Sequence, residues 1–126
     1  RNVLVGADHR DIKVSGMDSL RDVFGSGEYL KVSKTKEVQI HIQWLAPECI
    51  TDLRFSGKSD IWSFGVLLWE IMSYGKAPFG AFKATEIAKE IEAGRRLERT
   101  DSCPVELFDE MSRHAFFFRF LDPCAL

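Results

Sequence analysis

Ser59-Asp60-Ile61-Trp62-Ser63-Phe64-Gly65-Val66-Leu67-Leu68-Trp69-Glu70 is the stretch that decides the fold. Its apolar residues, continued by Ile71 and Met72, fall on every side of a helical period and do not alternate as a strand would. A helix with no polar face belongs inside other structure. The run from Ile61 to Met72, broken by Ser63, Gly65 and Glu70, is too short to cross a bilayer. Ser59 can cap a helix that starts at Asp60, runs to about Ser73 and stops near Gly75.

The flanks of this helix differ from it. From Ala84 to Ala93, residues Ala84, Ile87, Ala88 and Ile91 share one face and the charges take the other, with Gly94 as the C-cap. A last helix is expected from Pro104, with Val105, Phe108 and Met111 facing inward. Upstream, Trp44 to Ile50 reads as a short helix with Pro47 early in it. Residues 16–37 are rich in Gly, Ser, Asp, Lys and Glu and read as a long exposed loop. Val3-Leu4-Val5 and Ile12-Lys13-Val14, joined by a polar turn, read as a small hairpin. The fold class is therefore mainly α: a short β-hairpin, a long loop and about four helices. A helix this apolar needs more surroundings than a tiny domain offers.

Composition narrows the function. The chain has 126 residues, of which 45% are hydrophobic and 12% aromatic, enough for a core. A net charge of −2 with scattered basic residues offers no field for nucleic acid. Cys49, Cys103 and Cys124 are widely spaced, which fits neither zinc nor a disulfide scaffold and points to a reducing, intracellular setting. The absent initiator Met points to a fragment or a processed product.

Several motifs then coincide in order. Arg1-Asn2-Val3-Leu4-Val5 resembles the end of a kinase catalytic loop. Trp44-Leu45-Ala46-Pro47-Glu48 resembles the Ala-Pro-Glu motif that closes an activation segment. Ser59 to Glu70 is similar to the central helix of the kinase C-lobe. Gly75-Lys76-Ala77-Pro78-Phe79 and Cys103-Pro104-Val105-Glu106-Leu107 follow as in tyrosine kinases. The chain thus resembles the C-terminal lobe of a protein tyrosine kinase from Arg1 to about Arg113, and 114–126 is a divergent apolar tail.

The resemblance implies roles by position. Asn2 stands where the family holds magnesium, although as a vestige it is equally a frayed terminus. Glu48 stands where the family pairs a Glu with a late Arg, placed a few residues beyond an Asp-Pro. Here Asp122-Pro123 is followed only by Cys124-Ala125-Leu126, and a solvated Glu48 is the alternative. Asp60 would brace the catalytic loop, and a helix-starting Asp also gains from the helix dipole alone. Ala46 and Pro47 complete the structural motif. Tyr29 lies where the family carries its activation-loop phosphotyrosine, or is an ordinary exposed tyrosine.

The pattern also fails in places. The Gly-rich loop, the phosphate-binding Lys and the catalytic Asp are absent from this chain. The Asp-Phe-Gly register places Gly16 where the metal-binding Asp should be, and Asp18 is two residues out of register. His9-Arg10-Asp11 spells the catalytic-loop tripeptide, but position 16 lacks the required Asn and the surroundings fit a hairpin turn. His41-Ile42-Gln43 replaces the family's usual lead into Trp44. After Arg113 comes His114-Ala115-Phe116-Phe117-Phe118-Arg119-Phe120-Leu121, a sticky apolar end where a core Trp is expected.

The first reading is thus a tyrosine-kinase remnant that is catalytically inactive as this chain, with no catalytic residue of its own. It expects no cofactor for this chain, ATP and magnesium belonging to the family. The second is a C-terminal piece of an active receptor-type or cytosolic kinase whose N-lobe lies elsewhere. Expected partners are proteins or a second copy, through exposed apolar surface. Nucleic acid is not expected, and a membrane only for a receptor parent. The expected location is the cytoplasm or the cytoplasmic side of a membrane.

Overall fold

The structure, a computed structural model, describes residues 2–15, 28–29 and 41–116. Strands β1 (Val3–Val5) and β2 (Ile12–Val14) pair antiparallel, Val3 opposite Val14 and Val5 opposite Ile12. The turn between them is closed by the Gly6 amide on the Asp11 carbonyl at 2.7 Å and the His9 amide on the Gly6 carbonyl at 2.9 Å. The Asp8 carboxylate accepts the amides of Arg10 at 3.1 Å and Asp11 at 3.5 Å, an arrangement that suits a tight turn. His9-Arg10-Asp11 is therefore turn, as its surroundings indicate.

Strand β3 (Glu28–Tyr29) pairs antiparallel with β4 (Phe55–Ser56), Tyr29 opposite Phe55. The rest of the expected 16–37 loop, including Gly16 and Asp18, lies outside the described residues, as does the tail beyond Phe116.

Four helices follow: α1 (Pro47–Thr51), α2 (Gly57–Met72), α3 (Ala84–Glu92) and α4 (Val105–Met111), which runs on into a π turn over Ser112–Phe116. The expected helix from Trp44 to Ile50 is split. A 3-10 turn covers Ile42–Trp44, and α1 begins only at Pro47. Proline is the reason: it disfavours helical backbone in the residue before it, and Ala46 is extended at φ −66° and ψ 153°.

Helix α2 also starts earlier than expected, at Gly57 rather than Asp60. Ser59 still does capping work, but from inside the first turn. Its Oγ accepts the Ser56 amide at 2.9 Å and donates to the Ser56 carbonyl at 2.7 Å. At the other end the Tyr74 amide reaches the Ile71 carbonyl at 3.1 Å and the Gly75 amide reaches that of Glu70 at 2.8 Å. That is a Schellman closure, and it puts both Tyr74, at φ 57°, and Gly75, at φ 83°, in the left-handed region. Helix α3 closes the same way on Gly94 at φ 94°.

The core gathers around one side of α2. Trp62 and Val66 pack with Cys49, Ile87, Ile91, Leu97, Cys103, Met111, Ala115 and Phe116. The opposite side is open: Ile61, Phe64 and Ile71 are 49%, 59% and 55% exposed. The all-round burial expected of this helix is thus corrected to burial on one side. The hairpin likewise contributes nothing to the core, since its valines, Leu4 and Ile12 stay 36–69% exposed.

Gly65 sets the closest approach in the core. A Cβ there would stand 2.4 Å from the Ala115 Cβ, far inside contact distance. The absent side chain lets the π turn lie flat on α2. Phe116, 1% exposed, then meets the Trp62 ring edge-to-face at 5.6 Å between centroids. Arg96 locks the contact: its Nε donates to the Phe116 carbonyl at 2.7 Å and its guanidinium lies 5.4 Å over Trp62.

This geometry makes the effect of Gly65→Ala depend on Ala115. Overpacking costs about 1–3 kcal/mol, against a helix-propensity gain of roughly 1 kcal/mol. Urea unfolding should show Gly65→Ala as destabilising in the parent chain. In an Ala115→Gly background the same change should become neutral or stabilising.

Candidate functional site

The motif residues are placed by the turns that lead into α1 and α2. Ala46 is buried and extended ahead of the Pro47 that opens α1. Glu48 follows in the first turn, half-buried, and its backbone carbonyl takes the amides of Asp52 and Arg54, each at 3.1 Å. Asp60 sits exposed in the first turn of α2, where a negative charge is favoured by the helix dipole. Asn2 belongs to the exposed hairpin, where its carbonyl receives the Ser15 amide at 2.8 Å. Tyr29 is placed by its backbone pairing with Phe55. Glu48 and Asp60 thus stand at the starts of neighbouring helices, whereas Asn2 lies apart from the helical core.

The best-anchored residue of the segment is Trp44, which the sequence marks only as the residue ahead of Ala-Pro-Glu. Its indole N–H donates to Glu70 Oε2 at 2.9 Å, and its carbonyl accepts Ser63 Oγ at 2.9 Å. Both partners come from α2, seven residues apart, so they share one helix face. The signal was present in the sequence: Ser63 and Glu70 are polar breaks in an otherwise apolar run, at two-turn spacing. His41 stacks edge-on against the same indole at 6.1 Å.

Cys49 lies under this segment, fully buried, with its Sγ 3.0 Å from the Arg54 carbonyl. Burial pushes its thiol above the ordinary value, so at neutral pH it stays protonated and unreactive. Asp8, exposed on the hairpin, is held below the usual carboxylate range by the Arg10 amide first and the Asp11 amide next.

Magnesium takes several oxygens in octahedral array and keeps waters where the protein supplies few. Among the described residues no three His, Cys, Asp or Glu side chains converge, and Asn2 offers one amide oxygen on an exposed strand pair. The described donor set does not fit a magnesium–nucleotide site.

Residues 1–115 match the model of the protein tyrosine and serine/threonine kinase family. The chain therefore belongs to that family, as a partial kinase domain built of the C-lobe helices. Its relatives include a tyrosine-protein kinase and growth factor receptors. It is 40% identical to the tyrosine-protein kinase SYK of Gallus gallus over 111 residues, covering 88% of this chain and 18% of that protein. It is 41% identical to the high affinity nerve growth factor receptor of Gallus gallus, with 88% and 14% covered. With the NT-3 growth factor receptor of Sus scrofa the identity is 42%, with 88% and 13% covered. The chain spans less than a fifth of the length of these relatives.

The Trp44 anchor yields a stability expectation. Glu70→Leu strips the half-buried indole N–H of its charged acceptor, which should cost about 1–3 kcal/mol in chemical unfolding. In a Trp44→Phe background, which has no such donor, the cost should largely vanish.

Proposed function

We propose that this chain is a tyrosine-kinase remnant that keeps the family's scaffold and does not transfer phosphate by itself. The observation that carries this reading is the loss of metal ligands. Gly16 stands in the register of the metal-binding Asp, Asn2 lies on an exposed hairpin, and among the described residues no three His, Cys, Asp or Glu side chains converge. Phosphoryl transfer depends on metal ions bridging the phosphates and on a positioned base. Among the described residues, those that brace structure outnumber any that the family uses toward nucleotide, of which Asn2 is one.

The 13–18% coverage of the relatives supports a second reading, a piece of a longer kinase whose N-lobe lies elsewhere. Even so completed, a chain with Gly16 in the metal position lacks one ligand. Either reading puts it in the cytoplasm or on the cytoplasmic side of a membrane. No described helix is long and apolar enough to cross a membrane. The open side of α2, with Ile61, Phe64 and Ile71, suits association with another protein or a second copy.

Calorimetric titration of the full chain with Mg·ATP near neutral pH tests the central point. No saturable heat is expected, and saturable binding in the micromolar range contradicts the proposal.

We also propose Tyr29 as a phosphate acceptor for an active tyrosine kinase acting on this chain. It is one of two tyrosines, and its competitor Tyr74 is 88% exposed at the end of α2. After phosphorylation in trans, peptide mapping should place phosphate on Tyr29. Phosphate confined to Tyr74 contradicts the assignment.

A further inference from the structure

The carbonyls at the end of α2 can be accounted for one by one. Trp69 O accepts the Ser73 amide, Glu70 O the Gly75 amide and Ile71 O the Tyr74 amide. Met72 O is served differently, by two hydroxyls from a distant segment. Thr100 Oγ1 donates to it at 3.1 Å, and Ser102 Oγ donates to it as well. The same segment accepts the Trp69 indole N–H on the Glu98 carbonyl at 2.7 Å. It buries Leu97 and Cys103, and Arg99 Nη1 closes it by donating to the Cys103 carbonyl at 2.8 Å. Residues 97–103 therefore form a strap held across the C-terminal end of α2 by side-chain capping.

Ser102 is the exposed member of this latch, on a turn outside any helix, whereas Thr100 is half-buried. Arg99 lies three positions before it and Arg95 seven, both exposed. Such a pattern suits an enzyme that reads basic side chains upstream of a serine. We propose that Ser102 is a phosphorylation site for a serine-directed protein kinase of that class, and that the phosphate releases the strap from α2.

The step balances with Mg·ATP as the phosphoryl donor. Ser102 Oγ bonds to the γ-phosphorus, and the bond from that phosphorus to the β-phosphate oxygen breaks. ADP leaves, and the hydroxyl proton passes to the base of the modifying kinase. The product has lost the O–H that capped Met72 O. It places a charge of about −1.5 to −2 against the negative end of a helix dipole. Asp101 adds like charge beside it. If Arg99 turns to the phosphate, it leaves the Cys103 carbonyl and opens the strap from its other end. Both responses loosen the same contact.

The test incubates the full chain with Mg·ATP and a serine kinase selective for upstream arginine. Peptide mapping locates the phosphate, and hydrogen exchange follows the Tyr74 and Gly75 amides. Phosphate on Ser102 is expected, with exchange at those amides faster by about tenfold. Ser102→Ala should take no phosphate at that peptide and show a smaller acceleration. Ser102→Glu should accelerate exchange without any kinase. No phosphate on Ser102 in the folded chain overturns the proposal. So does phosphate there with unchanged exchange, or unchanged exchange in Ser102→Glu.

Discussion

The approach of the π turn to α2 at Gly65 is the constraint on which the rest of the packing depends. A Gly65 side chain would begin only 2.4 Å from the Ala115 Cβ, so the Ala115 methyl packs directly on the bare backbone of α2. That contact fixes the depth of Phe116, and Phe116 fixes the face of Trp62. Arg96 then joins the end of α3 to the same place through Phe116 and Ile91. One missing side chain thus lets three helices share a core that a small domain otherwise struggles to build.

Much of this was legible in the sequence, and the legible part follows from periodicity. The hairpin, the amphipathic helix ending at Gly94 and the helix after Pro104 all carry patterns that local physics enforces, although Val105, expected to face inward, is 54% exposed. The long apolar run announces α2, and each of its three interruptions has a use. Ser63 and Glu70 hold Trp44, and Gly65 admits Ala115. What the run does not show is which side lacks a neighbour. Burial depends on what else is nearby, and Ile61, Phe64 and Ile71 read in sequence as core residues like Trp62 and Val66. Helix α2 starts one turn before the point that Ser59 marks in the sequence, because Ser59 reaches back from inside the first turn to the Ser56 backbone.

The candidate site divides along the same line. The duties visible in the structure are local ones: Ala46 and Pro47 start α1, Asp60 lies at the favourable end of α2, and Trp44 is anchored twice. Those duties rest on packing and helix geometry, which the chain supplies. A metal site needs several donors brought together from distant segments, and among the described residues no three His, Cys, Asp or Glu side chains converge. Family membership is thus carried, among the described residues, by packing and helix starts. The strap over the end of α2 belongs to the structural half, since its hydroxyls serve a helix terminus.

The central claim is that Ala115 and Phe116 complete the core of α2. The most direct measurement compares thermal unfolding of a chain ending at Phe116 with one ending at Arg113, followed by the near-ultraviolet signal of the tryptophans. The account predicts a cooperative transition for the first and its loss, with a weakened tryptophan signal, for the second. The same cooperative transition in both chains would contradict it.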